Sequence, residues 1–568
     1  MMRRFPLAVW LFALALAALT TLPYVVGGWS APPGWQYSGA AAVPTGALVD
    51  FNSHIAKMWQ GYRGQWDYHL LFTHEAHPGL PLVQSFYVAL GALASLMPFS
   101  LPAVYHIARF ALTVGMALAI WAFAARFFEK PSERWLATLF GTIASGWSWL
   151  LLALDPAMTA ELSPIEFWLT DAFNLLGALV MPHFAAAVIV QIIIVLAFEA
   201  WVKSPSPPAP LPVGEGRKPN ASTGFLSRTG VVQLIVLTLA LAAQAIIQPY
   251  AALLFGPLLV ILAAYHTFSA RRLTRRRALW LLLPLGCYGA LVVYQSIALY
   301  SHPVWAAFAE QNQTLSPPVT YYLLGYLPFI LPLLPGLRAF LLDRPDDRWW
   351  LPILWVALVA MLLYAPFPTQ RRYLLGVQTP LAALAAYGWS RAVLPRLRVK
   401  LRPLANILYL ALASVALVGM LAVNIAALSE PFSHRAVFYS PDDLAAFAWM
   451  RRETTGRDDL VLTVTDAAGL GSGGRLVAAL GQRVYLGHWI ETADFAAKVA
   501  DMRRFYDSAA PDDWRRQFLK NTGAVYVWHD EDARRFGDWN PASAAYLEAV
   551  FSSGSVTIYR AAEKAGSS

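Results

Sequence analysis

The chain has 568 residues, 57% of them hydrophobic and only 14% charged. A soluble protein carries about 25% charge, so this composition excludes a soluble globule along the full length and suits lipid, with 22 Trp and 24 Tyr fitted to membrane interfaces. The net charge of +9 sits largely in loop arginines and is no nucleic-acid signal; the single cysteine, Cys287, excludes an internal disulfide and a Cys-based metal site.

Met1 to Arg4 precede an apolar stretch from Phe5 to Val26. It is too long for a typical signal-peptide core and lacks a small-x-small cleavage site, so it reads as a retained first span. Apolar runs of roughly 17 residues or more can cross a hydrocarbon core of about 30 Å. They predict spans near 5–26, 103–125, 135–153, 183–202, 230–247, 251–268, 278–299, 319–337, 349–365, 373–390 and 403–428. That makes about eleven transmembrane helices, or twelve if the run 80–97 also crosses.

Loop charge decides the sides. With 80–97 lying on the surface or only dipping in, loops 126–134, 203–229, 271–277, 338–348 and 391–402, together with Arg3 and Arg4, hold 22 basic residues. The opposite loops hold 4: Lys57, Arg63, Arg371 and Arg372. Cytoplasmic loops carry the excess of Lys and Arg, which puts the N-terminus in the cytoplasm of a multi-pass plasma-membrane protein. Eleven crossings leave the C-terminal segment outside. Two domains are expected: a polytopic all-α domain over 1–428 and a soluble α/β domain over 429–568. Within the first, 203–229 is Pro/Gly/Ser-rich and reads as a cytoplasmic linker.

The first outer loop, 27–79, is too long for a simple connector. Asp50 to Trp59 has helical spacing. Asp50, His54 and Lys57 fall at i, i+4 and i+7 on one face, and Phe51, Ile55, Met58 and Trp59 on the other, which predicts an amphipathic helix lying on the membrane. An aromatic stretch, Tyr62 to Tyr68, follows, and then His77-Pro78-Gly79-Leu80 leads into the next apolar run.

This layout resembles integral-membrane glycosyltransferases of the GT-C fold, especially the protein O-mannosyltransferase and aminoarabinose-transferase branches. There an acidic residue, a helix, an aromatic stretch and a His-Pro-Pro-Leu or Lys-Pro-Pro-Leu element follow the first span. Here Phe51 stands where the family often has a second acid, and Gly79 replaces the second Pro. The resemblance implies transfer of a sugar from a polyprenyl-phosphate donor, with Asp50 as general base; a helix cap is the plainer role for the same residue. His54 would orient the acceptor or bind phosphate, or simply sit on a solvated face. Glu75 and His77 would line the sugar site, or serve as ordinary interfacial polar residues.

Arg371 and Arg372, in Pro366-Phe-Pro-Thr-Gln-Arg371-Arg372, stand on the side poor in arginine. Arg forks pair bidentately with phosphate oxygens, so a polyprenyl phosphate fits them; lipid headgroups are the alternative. Arg109, in the outer half of a span, would pair with a carboxylate or the same phosphate, or snorkel. The whole reading expects Asp50 and the two arginines to share one cavity. Loop 154–182 carries Asp155, Glu161, Glu166 and Asp171, but no Asp-x-Asp spacing, so no metal is assigned and a divalent metal stays open. Gln311 and Asn312, in loop 300–318, are candidates for sugar hydroxyls. Membrane lipids and a polyprenyl-linked sugar are the expected partners; the acceptor is not identified.

The C-terminal segment alternates helix and strand. A capped helix runs from Ser440 to about Thr454, with further helices at 492–508 and 511–521 and strands at 459–465, 524–528 and 556–559. Gly469-Leu-Gly-Ser-Gly-Gly474 lacks the Lys-Ser/Thr of a phosphate-binding loop and reads as a turn. Gly487-His488-Trp489 is a polar-aromatic patch facing either the membrane part or an acceptor. A transporter or flippase of lipid-linked sugars is the alternative function, but it would need ionisable groups deep in several spans.

Overall fold

The computed structural model describes residues 5–154, 164–204, 227–343, 346–429, 436–454 and 459–561. Asp155, Glu161, Arg344 and nearly all of the 203–229 linker lie outside the described residues. Six described helices are long and apolar enough to cross a membrane: α1 (Leu7–Ser30), α4 (Leu101–Phe127), Pro182–Lys203, Arg228–Ile247, Pro249–Ser269 and Arg275–Tyr300. Two bent pairs, Val319–Gly325 with Leu327–Leu342 (81°) and Val399–Ala413 with Val415–Ala427 (41°), would bring the number to eight. The chain is a helical, multi-pass membrane protein.

Three other expected spans fall on shorter helices. Pro131–Thr142 has 12 residues, Trp350–Leu362 has 13 and Gln378–Gly388 has 11. At 1.5 Å per residue each covers less than the hydrocarbon thickness. The run 80–97 yields only α3 (Ser85–Ala94), 10 residues, too short to cross alone.

The chain divides into two compact units. The first comprises Met1–Ala17, Ala111–Tyr294 and Thr314–Leu417. Its helices pack closely where side chains vanish: a Cβ on Gly336 would lie 2.4 Å from Gly388 Cα. Gln378, fully buried, donates to the carbonyls of Phe140 and Ala144 and accepts from Asn174 N–H, all at 2.7 Å. Buried amides joined in this way fix helix register. The arginine-rich loops converge. Arg126, Lys203, Arg272 and Arg348 line one small cavity with Glu199 and Asp347, and Arg391 reaches Glu133 at 3.9 Å.

The second unit comprises Ala18–Phe110, Gln295–Gln313 and Val418–Ser568. Strand β1 (Gln36–Tyr37) pairs antiparallel with β2 (Phe438–Tyr439). A four-stranded mixed sheet runs β3-β4-β6-β5, with β3 (Leu460–Leu462) parallel to β4 (Ala524–His529). Strands β5 (Leu547–Ser553) and β6 (Val556–Ala561) complete it in antiparallel pairing. Helices Phe495–Phe505 and Asp512–Thr522 follow the expected alternation, and Ser440 forms a capping box with Asp443 at the start of Pro441–Glu453. Strand β5 was not expected; its sequence, Leu547-Glu-Ala-Val-Phe-Ser-Ser, mixes small and polar residues.

Candidate active site

Helix α2 (Thr45–Tyr62) carries Asp50, and the structure corrects its expected placement. It does not lie at a surface: 13 of its 18 residues are buried, Lys57 and His54 among them. Against α3 the two backbones touch. A Cβ on Gly61 would lie 1.8 Å from Val88 O, and one on Gly91 would lie 1.9 Å from Met58 O. Only glycine permits that approach. On another side α2 packs on helix Ser472–Leu480, where Trp59 Nε1 donates to Ala478 O at 2.9 Å.

The polar face of α2 meets the loop 487–493. His488 Nε2 lies 3.2 Å from Asp50 Oδ1. The imidazole is buried, while the Asp50 side chain keeps 30% of its surface exposed. His488 Nδ1 accepts from the backbone N–H of Ile490 (3.2 Å) and Glu491 (3.3 Å). Two turns further on, Lys57 Nζ sits 2.8 Å from Glu491 Oε1 and donates to Ser53 Oγ at 2.8 Å. Ser53 Oγ also donates to Glu491, and Tyr68 OH donates to its other oxygen at 2.6 Å. Burial alone would raise the Glu491 carboxyl, but Lys57 and these hydrogen bonds hold it below its usual range. Burial, reinforced by Glu491, drives the Tyr68 hydroxyl well up, so it stays a donor.

His54 does not join that face. Its ring stacks on Tyr87 at 3.9 Å and 13°, in line with Tyr105. A cavity of about 420 Å³ opens on a different side of α2, between Phe51, Ile55, Trp59 and Tyr62 of the helix and Tyr37 and His106.

The loop after α2 is clipped shut. Tyr68 and Leu80 exchange backbone hydrogen bonds at 3.1 and 3.0 Å. Glu75 accepts from Lys498 at 2.7 Å. Its burial is outweighed by Lys498 and by the Thr73 hydroxyl, so its carboxyl titrates below the usual range. His77 Nε2 accepts from Leu70 N–H at 2.9 Å and its Nδ1 donates to Glu75 O at 2.8 Å. Burial lowers the His77 pKa to about 4. Arg483 donates to the carbonyls of Thr73, His74 and Glu75. Gln311 bridges to loop 490–495, donating to Ile490 O and Thr492 O and accepting from Phe495 N–H, while Asn312 ends helix Pro303–Gln311. Arg109 is fully buried: it donates to Thr20 O and Thr21 Oγ1 at 3.0 Å and to His106 Nδ1 at 3.2 Å, and lies 4.4 Å over the Tyr24 ring.

Arg371 and Arg372 belong to the first unit, on the short turn Gln370–Leu374. Thr314 N–H donates to Pro368 O at 2.7 Å and Arg371 N–H to Thr314 O at 3.0 Å, which knits their loop to the segment after 313. Arg372 Nη1 lies 3.4 Å from Asp171 Oδ1, and the Arg371 guanidinium lies 5.4 Å over the Trp168 ring. Loop 164–173, noted for its acids, thus packs on the arginine pair. Its Glu166 is buried, accepts from Trp149 N–H at 2.8 Å, and is raised by that burial. Among the described residues no cluster of three or more His, Cys, Asp or Glu could hold a metal.

Of the expected site residues, Asp50, Glu75, His77, Gln311, His54 and Arg109 all fall in the second unit, as does Asn312; Arg371 and Arg372 fall in the first. Glu491 was missed. A lone Glu in a loop gives no local signal, and only the fold brings it to Lys57.

No protein-family model matches the sequence, and no curated protein does. Solved structures do. The apo oligosaccharyltransferase of Archaeoglobus fulgidus matches over 96% of this chain and 72% of its own, with a TM-score of 0.52 at 12% identity. The same organism's oligosaccharyltransferase AglB, in complex with an inhibitory peptide and a dolichol-phosphate, matches with a TM-score of 0.50 at 12% identity, over 96% and 72% of the two chains. ArnT from Cupriavidus metallidurans, bound to undecaprenyl phosphate, gives a TM-score of 0.46 at 14% identity, over 95% and 97%. The chain has a GT-C-like fold.

Proposed function

We propose that the protein is a glycosyltransferase that moves a sugar from a polyprenyl-phosphate donor to an acceptor hydroxyl at the outer face of the membrane. The observation that carries this is Asp50: a partly exposed carboxylate on a helix held by backbone contact, with a buried imidazole at 3.2 Å. In the step, Asp50 takes the acceptor hydroxyl proton and the acceptor oxygen bonds to the sugar C1. The C1–O bond to the phosphate breaks, and its electron pair leaves with the polyprenyl phosphate. Arg371 and Arg372 are assigned to the donor phosphate, Glu75, His77, Gln311 and Asn312 to the walls around the sugar and acceptor, and Arg109 and His54 to support. A GT-C-like fold solved with dolichol-phosphate in AglB is consistent with a lipid-phosphate donor.

The convergence of Arg126, Lys203, Arg272 and Arg348 on one cavity, with Arg391 tied to Glu133, supports a single cytoplasmic side for these loops. The N-terminus is assigned to that cytoplasmic side; α2 follows the single span α1 and the C-terminal α/β part packs against α2, so both are assigned to the outer face. Flipping of a lipid-linked sugar is the second function considered. Arg109, a buried charged group of α4, is held by Thr20, Thr21, His106 and Tyr24, which favours a structural role over a translocation path.

The test is direct. Purified protein in lipid nanodiscs is given undecaprenyl-phosphate sugars carrying labelled glucose, mannose, galactose or arabinose, and the label released or transferred is followed. Consumption of at least one by the parent, and at least about a hundredfold less by Asp50→Asn, is expected. Equal consumption by both would remove Asp50 from the chemistry.

A further inference from the structure

We propose that His488 is a positioning residue for Asp50, and that the C-terminal part of the chain thereby completes the catalytic carboxylate. The inference rests on the assignment of Asp50 as base. The geometry of the imidazole decides what it can do. Its Nδ1 faces two backbone donors, Ile490 N–H at 3.2 Å and Glu491 N–H at 3.3 Å. A nitrogen accepting two hydrogen bonds carries no proton, so the ring hydrogen is on Nε2 and points to Asp50 Oδ1 at 3.2 Å. The ring has no freedom to turn. It is buried, flanked by Phe72 at 5.8 Å and Trp489 at 6.2 Å, and Thr492 N–H donates to His488 O at 2.9 Å, closing the loop that bears it.

Two consequences separate this from other roles. An N–H aimed at a carboxylate favours its ionised form and fixes its rotamer, both of which a general base needs. A proton relay through the ring is excluded by the same contacts: Nε2 already carries its hydrogen, and Nδ1, the only nitrogen able to accept another, faces two amide donors. His488 therefore anchors Asp50 and does not carry its proton. The anchoring loop is itself set by Glu491, whose carboxylate holds Lys57 and Ser53 on the same face of α2.

The experiment compares Asp50→Asn, His488→Leu and His488→Gln in the labelled undecaprenyl-phosphate sugar assay, each checked for folding by gel filtration and thermal unfolding. Gln can place an amide N–H near the position of Nε2; Leu cannot. A fall in kcat on the order of a hundredfold is expected for His488→Leu, with KM for the donor nearly unchanged and most of the loss recovered in His488→Gln. Full activity of His488→Leu beside a dead Asp50→Asn ends this inference alone. A His488→Gln as inactive as Leu while folded also ends it, since the ring would then be needed for more than its N–H. An active Asp50→Asn ends the base assignment and this inference with it. Nitrogen-15 NMR of histidine-labelled protein gives a readout independent of turnover: the His488 signal, identified by its loss in His488→Gln, should show a protonated Nε2 and a bare Nδ1, and the Nε2 resonance should move in Asp50→Asn. The opposite tautomer overturns the proposal.

Discussion

His488 Nε2 stands 3.2 Å from Asp50 Oδ1, joining side chains 438 positions apart in the sequence. Helix α2 is thus held at two levels, by its backbone against α3 and by its polar face against the loop 487–493. Each support can be removed by substitution separately from the carboxylate it holds in place.

Asp50→Asn should reduce sugar transfer by roughly a hundredfold to ten-thousandfold, the usual contribution of a positioned general base. Donor binding should survive, because the substitution removes a proton acceptor and leaves the helix intact. Steady-state turnover, with donor affinity measured separately by titration with undecaprenyl phosphate, checks both halves.

Lys57→Met or Glu491→Gln alone strands a partner in a dry environment and should destabilise the protein by about 3–5 kcal/mol. The double substitution should cost clearly less than the sum, since the two groups share one network. Thermal midpoints of the four proteins give the coupling. Strict additivity would show that the pair contributes nothing as a pair.

Gly61→Ala should lower the unfolding midpoint sharply, because its Cβ would fall 1.8 Å from Val88 O; overpacking of this kind costs about 1–3 kcal/mol or more. Gly46→Ala, in the same helix with nothing within 4 Å of the added carbon, should be neutral or slightly stabilising. Similar loss in both would mean that the close approach to Val88 is not what the added carbon disturbs.

The His77 imidazole, lowered to about 4 by burial, gives a pH dependence of defined sign. The unfolded imidazole titrates near about 6.5, so between those values the unfolded chain binds more protons. Stability should hold steady above about pH 6.5 and fall as pH drops toward 4. His74, lowered to about 4 by burial and then by Lys498, acts in the same direction. Unfolding midpoints at pH 7 and pH 5 should differ, and the difference should shrink in His77→Asn.

Arg371→Gln and Arg372→Gln should each weaken binding of undecaprenyl phosphate by about tenfold to a hundredfold, the worth of a charge-assisted hydrogen bond. Asp171→Asn removes the carboxylate 3.4 Å from Arg372 and should leave binding equal or tighter. Unchanged affinity in both arginine variants would send the donor phosphate elsewhere.

Much of this was legible because it is local. The long apolar runs gave α1, α4 and the four helices between 182 and 300, and Ser440-Pro-Asp-Asp gave its capping box. The spans near 135–153, 349–365 and 373–390 were misjudged in length, since hydropathy does not register where a helix stops. On α2 the spacing of Asp50, His54 and Lys57 implied one common face. Asp50 and Lys57 do meet the same loop, but His54 lies far enough round the helix to enter the Tyr87–Tyr105 stack instead. Helix periodicity fixes which residues neighbour each other, not what arrives from outside. Burial of the polar face of α2 comes from residues after 436, and nothing within 45–62 announces them.

The second unit is assembled from three separate stretches of chain, and this bears on how the protein is made. Lys57 leaves the ribosome long before Glu491 exists: at about 5–20 residues per second the interval is roughly 20 to 90 seconds. During that wait a cation destined for a dry niche has only water, lipid headgroups or a chaperone to face. A nascent chain cut short before its last hundred residues would carry Lys57 on α2 with no Glu491 to meet it, a product for quality control rather than a smaller protein.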